Sequence, residues 1–438
     1  MKQKLNLYNQ SPMRPQFIVL TISFYLLIAF APAVLAQKVI KVDSSQVMTL
    51  RIDPSNAVGG VASDFFSEVN YIPLETTKES LFGSISKLVI TDDYFIILDY
   101  NTHAILIFTK AGKFHAKIKS SQNSQNYIYN FSVNKWDKQI IFTADGYKNL
   151  TYCDYDGKVI KTTKLGGETA KDEISQYEFF FLGPDKTVTT GSENRTVPTD
   201  KYYKPFAKSL IIYAQTDHKV TAQGLPFKKS EGKIEYTYNG LGPLTSFGVD
   251  TAYFYSKTWD YAIYTVTPNT IKFTYKFIFP LLISMPTDFM TNKLYADKKV
   301  EWTEKNGNVL TGLGNFFRTG NNLVFKTFSR NGYNNKEDNL IYNLKSGSLI
   351  AYKHIQQDER SYFMPIYDQV GWTFNDRGIL ACTGGSLYTS VSGVGMFKAY
   401  EDNADKKVTY PPLLAEYFKK GSMKDNPVIL QLKLKDEL

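Results

Sequence analysis

The stretch "ITDDYFIILDYNTHAILIFTKAGKFHAKI", from Ile90 to Ile118, contains short apolar runs separated by turn residues. The runs are rich in Ile, Leu, Phe and Tyr, and Asp92-Asp93 and Ala111-Gly112 stand between them. Runs of this length and composition, bounded by Asp, Asn or Gly, are typical of antiparallel strands. With "ISKLVI" just before it, the stretch predicts a unit of four strands.

The same pattern returns along the chain. Gly112 and Gly157 are hairpin glycines 45 residues apart, and Gly347 marks a third hairpin of the same kind. A repeat of about 40–45 residues is typical of a four-stranded propeller blade. The sequence therefore predicts an all-β, six-bladed β-propeller of four-stranded antiparallel blades, with five or seven blades as alternatives.

The last repeat is divided between the two ends of the chain. The segments "QVGWTFND", "GILACTGG" and "PVILQLKL" are predicted as three strands, with a short helix in "PPLLAEYFKK". The fourth, outer strand is predicted from "SEVNYIPLE" (Ser67 to Glu75). Strands from both chain ends would close the ring and remove an open sheet edge.

The N-terminus has the pattern of an export signal. Lys2, Lys4 and Arg14 precede an apolar run from Phe17 to Ala36, and small residues stand before Gln37. This pattern predicts a signal peptide at 1–36. The alternative is an uncleaved anchor, since about 20 apolar residues can span a bilayer. A lead-in at 37–66 and a single propeller domain at 67–438 follow, with an insertion at 280–312 that contains a short surface helix.

Charge and cysteine content exclude some classes of protein. Without residues 1–36, which carry three positive charges and no negative ones, the formal net charge falls from +9 to +6. This charge is mild and forms no long Lys or Arg block, so nucleic-acid binding is not expected. Cys153 and Cys382 fall in non-adjacent predicted blades and are expected to be unpaired, small buried residues. The terminal "KDEL" matches an endoplasmic-reticulum retrieval signal, or matches it by chance.

Three segments carry a resemblance to a known family. "NYIPLETTKESLFGSISKLVITDDYFIILDYNTHAILIFTKAGKF", "SKTWDYAIYTVTPNTIKFTYKFIF" and "DNPVILQLKLK" resemble six-bladed propellers exported by Bacteroidetes bacteria, which are NHL/TolB-like and of unassigned activity. The resemblance covers Asn70 to Lys435. The chain departs from it at Lys119–Asn126, where family members often have a Gly/Pro-rich turn. The resemblance implies the fold and export, and it implies that the terminal "KDEL" is a chance match.

Catalytic signatures are scarce in this sequence. It contains no nucleophile elbow, no phosphate-binding glycine loop and no metal-binding histidine motif. Propeller hydrolases hold an axial metal with single carboxylates from different blades, and Glu68, Asp250 and Asp376 are candidates for that role. Asp is also a routine turn former, and the turn interpretation is favoured. No catalytic residue, metal or cofactor is predicted.

The irregular segments are rich in aromatic and cationic residues. Such residues converge on the faces of a propeller disc and are enriched in binding hot spots. The predicted binding residues are Tyr202, Tyr203, Trp259, Asp260, Tyr261 and Arg330. The alternative for Trp259 and Tyr261 is packing between blades.

The leading hypothesis is an exported, non-enzymatic binding protein that recognises a protein or glycan ligand on one face of the disc. The alternatives are a metal-dependent, gluconolactonase-like hydrolase or lyase, and a structural subunit of a cell-envelope assembly that docks through the insertion. The chain is predicted to be a monomer in the periplasm or at the surface of a Gram-negative bacterium. No nucleic-acid partner is expected, and no stable membrane span after signal cleavage.

Overall fold

The computed structural model describes most of the chain beyond the predicted signal peptide. The described residues are 38–119, 127–143, 149–164, 179–190, 209–217, 219–226, 244–257, 259–295, 298–332, 337–371 and 373–438. Contacts divide the chain into two compact units, Met1–Lys38 and Val39–Leu438. The fold below is that of the second unit, and the predicted signal peptide at 1–36 lies outside the described residues.

The described strands form six sheets, each containing a four-stranded antiparallel meander, and the sheets form a six-bladed β-propeller. The first strands are β1 (Lys38–Ile40), β2 (Val42–Asp43), β3 (Met48–Arg51), β4 (Val58–Val61) and β5 (Phe66–Pro73). Blade one contains β6 (Lys87–Ile90), β7 (Tyr94–Asp99), β8 (Ala104–Thr109) and β9 (Phe114–Lys119). Blade two contains β10 (Phe131–Asn134), β11 (Gln139–Phe142), β12 (Asn149–Cys153) and β13 (Val159–Lys164). Blade three contains β14 (Phe180–Phe181), β15 (Lys186–Thr190), β16 (Ser209–Gln215) and β17 (Val220–Pro226).

Blade four contains β18 (Leu244–Ser246), β19 (Tyr253–Ser256), β20 (Ala262–Val266) and β21 (Ile271–Ile278). Blade five contains β22 (Leu310–Thr319), β23 (Asn322–Ser329), β24 (Asn339–Asn343) and β25 (Leu349–Gln356). Blade six contains β26 (Ala381–Thr383), β27 (Ser386–Val391) and β28 (Val428–Leu434), with β5 as its outer strand. The predicted fold class and blade number are confirmed.

Blade one shows why its strands are apolar on both faces. In β7, Phe95 and Ile97 pack towards Tyr388 of blade six, whereas Ile96 and Leu98 pack in a second cluster with residues of blade two. Each face of an inner strand is therefore buried against a neighbouring blade. These strands do not alternate between apolar and polar residues, because both of their faces need apolar side chains.

The predicted hairpin glycines have the backbone conformation that requires glycine. Gly112, Gly157 and Gly347 have φ angles of 78°, 80° and 77°. Side chains with a Cβ rarely adopt this left-handed region. The repeat in the sequence therefore records a repeated turn between the third and fourth strands of a blade.

The ring is closed by β5, which pairs antiparallel with β28 along its whole length. The segment after β5 is held by Asn426, whose side chain is fully buried. Its Oδ1 accepts from the Phe82 backbone N–H at 3.0 Å, and its Nδ2 donates to the Glu75 and Ser80 carbonyls at 2.9 and 3.0 Å. The predicted closure by Ser67–Glu75 is confirmed.

The lead-in runs along the outer edges of three blades before it becomes β5. Strand β1 lies next to β17 in blade three, β2 and β3 pair parallel with β21 in blade four, and β4 pairs parallel with β25 in blade five. In β4, a Cβ on Gly59 would collide with His354. The close approach of β4 to blade five therefore requires glycine.

Blade six differs from its prediction. The segment "QVGWTFND" is not a strand: a short helix occupies Thr373–Arg377, and Asp368 Oδ1 accepts from the N–H groups of Val370 and Gly371 at 3.0 Å. Such a side-chain turn competes with extended pairing. The second strand is β27, which follows β26 through the two-residue turn 384–385, and all its residues are buried.

The helices are few and lie in connections. The predicted helices within the insertion and after Pro411 are found at Lys299–Lys305 and Pro412–Lys420. A further helix, Gly393–Asp402, was not predicted. One helical turn, Ala62–Phe65, precedes β5, and short 3-10 helices lie in other connections.

Both cysteines are buried and unpaired, as predicted. Burial raises the pKa of Cys153 to about 11 and that of Cys382 to about 12. Thiols with raised pKa values are weak nucleophiles at neutral pH. Their role is packing.

Candidate functional site

The antiparallel order of strands divides the connections between two faces of the disc. Connections between the first and second and between the third and fourth strands lie on the turn face, as 91–93 and 110–113 do in blade one. Connections between the second and third strands, and those leading to the inner strand of the next blade, lie on the loop face. Residues 100–103 and 74–86 are examples.

In the described part of the chain, the long connections belong to the loop face. They include 279–309 between blades four and five, 357–380 between blades five and six, and 392–427 within blade six. The turn-face connections are short, for example 320–321 and 384–385. Because binding residues in rigid scaffolds concentrate on such loops, the loop face is the candidate functional surface.

Three rings on the loop face, beside blades one and two, form what we call the aromatic cluster: His103, Tyr127 and Tyr129. Tyr100 lies in the same connection as His103. The His103 ring stacks on Tyr127, with centroids 3.8 Å apart and an interplanar angle of 6°, and meets Tyr129 edge-on at 5.5 Å. Tyr129 is 45% exposed and Tyr100 38% exposed. Their rings offer flat surface that costs little side-chain entropy on binding.

Two cations contact Tyr100 or the residue next to Tyr129. The Arg377 guanidinium lies 5.4 Å from the Tyr100 ring centroid and donates to the Ser86 carbonyl. Lys87 Nζ donates to Asn130 Oδ1 at 2.7 Å. Tyrosine next to arginine is a combination enriched in binding hot spots.

The loop that carries Tyr100 and His103 is held by Asp99, which is fully buried. Its carboxylate accepts from the Thr102 hydroxyl at 2.8 Å and from the Thr102 N–H at 3.1 Å. His103 then adopts a positive φ of 49°. Within the described residues, its buried Nδ1 has no hydrogen-bond partner.

Trp259, Asp260 and Tyr261 form the loop-face connection of blade four. Trp259 is 3% exposed and packs on Phe289 of the insertion, with ring centroids 5.4 Å apart. Asp260 is half-buried, and its Oδ1 accepts from the Tyr261 N–H at 2.7 Å. The position of Trp259 gives it a packing contact with the insertion, whereas a role in binding stays a prediction for all three residues.

Arg330 lies in the loop-face connection of blade five. Its guanidinium donates to Glu304 of the insertion helix at 2.8 Å, and both side chains are about half exposed, at 49% and 50%. The structure thus brings Trp259, Tyr261 and Arg330 to one place, around the insertion. Tyr202 and Tyr203 lie outside the described residues.

Removing the Tyr261 hydroxyl is expected to loosen the insertion. This hydroxyl donates to the Leu310 carbonyl at 2.5 Å and accepts from the Met285 N–H at 2.9 Å, and burial raises its pKa to about 12. Tyr261→Phe leaves both backbone groups without this partner, which should lower the free energy of unfolding by about 1–3 kcal/mol. Urea unfolding measures the change, with Tyr129→Phe as the exposed control; equal stability of the two variants would contradict this role.

Metal-binding geometry is not found in the described part of the chain, where no group of three or more His, Cys, Asp or Glu residues is placed to hold an ion. The three carboxylate candidates contact cations instead. Glu68 pairs with Lys433 at 3.3 Å, Asp250 pairs with Lys135, and Asp376 lies 3.7 Å from the Arg377 guanidinium.

Sequence reasoning missed Tyr100 and Tyr129. Tyr100 stands in the short connection "DYNTH" and Tyr129 stands just before β10, in "YIYNF", whereas the predicted binding residues come from other irregular segments. An aromatic residue within a four-residue connection between buried strands cannot reach the core of its own sheet. That placement is the signal that could have found Tyr100.

Comparison with known proteins places the chain among propellers of unknown function. The family model described as "Domain of unknown function (DUF4934)" matches residues 50–433. No curated protein matches the sequence significantly. No helix in the described ranges is long and apolar enough to cross a membrane.

Several solved structures share the fold. A Bacteroides fragilis protein described, on inference, as exported is 14% identical, with a TM-score of 0.63, over 89% of this chain and 100% of its own. A DUF4221-family member from Bacteroides vulgatus is 10% identical, with a TM-score of 0.42, over 84% of this chain and 97% of its own. Streptogramin B lyase is 12% identical, with a TM-score of 0.37, over 85% and 99%. At these identities the likeness shows the fold alone, and the two lower scores support no further conclusion.

Proposed function

We propose that this chain, which belongs to the DUF4934 family, is an exported, non-enzymatic binding protein that recognises a protein or glycan ligand on its loop face. The observation that supports the proposal most is the pair of exposed tyrosine rings on the loop face: Tyr100 lies beside Arg377, and Tyr129 belongs to the aromatic cluster. Tyrosine rings stack on sugar rings and fill protein hot spots, and an arginine adds hydrogen bonds to either ligand.

The compartment is part of the same proposal. The leader at 1–36 has the pattern of a signal peptide, and the similar Bacteroides fragilis protein is described as exported. We place the protein in the periplasm or at the cell surface of a Gram-negative bacterium, as a monomer. A closer relationship to NHL- or TolB-like propellers stays a prediction.

Removing the two exposed rings tests the proposal. The double variant Tyr100→Ala/Tyr129→Ala is expected to lose at least about tenfold in affinity, a cost of about 1.4 kcal/mol or more, because hot-spot rings carry most binding energy. Binding is measured by calorimetry on an oligosaccharide panel and by capture of envelope proteins. The melting temperature should stay within about 2 °C of wild type, since both rings are exposed.

The matched control is Trp136→Ala. Trp136 is 39% exposed, close to the value for Tyr100, but it lies in the turn-face connection of blade two. This variant should bind as wild type does. If it loses binding and the tyrosine variant does not, the ligand lies on the turn face and the proposal is wrong.

A second candidate function, a subunit of an envelope assembly, is favoured by one feature of the insertion. Leu281 and Leu282 are 89% and 91% exposed on a short turn that follows Pro280, and Leu294 is 76% exposed. Apolar residues that lie together on a turn and are almost fully exposed are characteristic of protein contacts. Leu281→Ser/Leu282→Ser should then abolish co-purification with envelope proteins while leaving oligosaccharide binding unchanged.

A further inference from the structure

The six blades differ in how their outer edges are covered. The chain itself covers the edges of blades three, four and five with β1, β2, β3 and β4. In blade two, β13 is the last strand of its sheet, and none of the described strands pairs with its outer side. An open edge presents unpaired N–H and C=O groups that can pair with another strand.

Strand β13 is also far more exposed than the other outermost strands. All six of its residues are exposed, including Val159 at 56% and Ile160 at 51%. In blade one, β9 buries Ile118 to 6% exposure, and a Cβ on Gly157 of blade two would contact that side chain. In blade six, β5 buries Phe66 completely.

The composition of β13 suits strand pairing. Its sequence, "VIKTTK", contains Val159, Ile160, Thr162 and Thr163, which have high strand propensity. Pairing with β12 already holds the backbone extended, so an added strand would find a formed template. The lead-in shows that blade edges in this protein accept added strands, since it pairs parallel with β21 and β25.

The charge on this edge is positive. Lys158, Lys161 and Lys164 lie on or next to β13, all exposed, and Lys161 Nζ lies 4.4 Å from the Tyr152 ring centroid. No acidic side chain among the described residues forms an ion pair with these lysines. Lysines on an edge oppose pairing with neutral or basic strands, and they attract an acidic one.

We propose that the outer edge of β13 binds an extended acidic segment of a partner protein, which adds to blade two as a fifth strand. Backbone hydrogen bonds supply the pairing, and the lysines select acidic side chains. This surface lies on the rim of the disc and is independent of the loop-face site.

A defined peptide tests the inference. The probe is a blocked peptide of alternating glutamate and valine, and its counterpart has lysine in place of glutamate. The glutamate peptide should slow hydrogen exchange at residues 159–164 and leave exchange at β9 unchanged, whereas the lysine peptide should leave exchange at both strands unchanged. The double variant Lys161→Glu/Lys164→Glu should bind the glutamate peptide at least tenfold more weakly.

The matched control is Lys272→Glu/Lys276→Glu. These exposed lysines lie on β21, whose outer edge is already occupied by β2 and β3. The control makes the same charge change and should bind the glutamate peptide as wild type does. The proposal would be overturned if both peptides bound with equal affinity, or if both variants lost affinity for the glutamate peptide equally. It would also be overturned if the glutamate peptide did not slow hydrogen exchange at β13. Protection that rises with protein concentration alone would show a second copy on this edge and would also overturn it.

Discussion

Asp338→Ala is expected to lower the free energy of unfolding by about 3–5 kcal/mol, because it leaves two buried ammonium groups without their shared counter-ion. Asp338 is 3% exposed and contacts Lys326, at 6%, and Lys353, at 5%, with the Lys353 contact at 2.9 Å. Burial lowers the pKa of Lys326, and Asp338 opposes that change. The carboxylate therefore contacts two lysines that are buried inside blade five.

The control for this variant is Asp250→Ala. Asp250 forms an ion pair with Lys135, but its side chain is 55% exposed. Exposed pairs contribute about 0–1 kcal/mol, so this variant should unfold close to wild type. Chemical denaturation of both variants measures the difference. A loss below about 1 kcal/mol for Asp338→Ala would contradict a structural role for the buried pair.

Gly112→Ala is expected to lower the free energy of unfolding by about 3–5 kcal/mol. The reason is that it places a Cβ on a left-handed backbone and causes a collision where the ring closes. Gly112 has φ 78°, and a Cβ there would strike the Pro73 carbonyl at the end of β5. Its own carbonyl accepts from the Glu75 N–H at 2.8 Å. The substitution would therefore separate blade one from the strand that closes blade six.

Gly385→Ala separates the two causes. Gly385 has φ 74°, close to that of Gly112, but no atom of the described residues lies within 4 Å of the position that a Cβ would occupy. This variant should lower the free energy of unfolding by only about 1–2 kcal/mol, because it adds backbone strain and no collision. Thermal unfolding of both variants gives the comparison, and equal losses would show that the contact at Pro73 does not hold the ring closed.

Much of the fold follows from local pattern. The hairpin glycines and the apolar runs predict blades one to five, because each strand pairs with its neighbour in sequence. The course of the lead-in was not predictable, since its parallel partners in β21 and β25 lie hundreds of residues away and "VGGV" has no strand pattern. In blade six, the side-chain turn at Asp368 prevailed over an apolar run that favoured a strand.

The site was less predictable than the fold. Trp259 was identified by residue type, and the structure packs it on the insertion, because a large apolar ring near a long connection is drawn into contact with it. Tyr100 and Tyr129 lie in loop-face connections and stay exposed, at 38% and 45%. Residue type alone does not distinguish these two outcomes, and neither does connection length, since Trp259 is buried in the short connection between β19 and β20 whereas Tyr129 is exposed in the longer one between β9 and β10.

Hydroxyl-radical footprinting of the protein with its captured ligand tests the central claim, that function lies on the loop face. The account predicts protection of Tyr100 and Tyr129 on binding, with Trp136 on the turn face labelled as in the free protein. Protection of Trp136 without protection of the two tyrosines would contradict it.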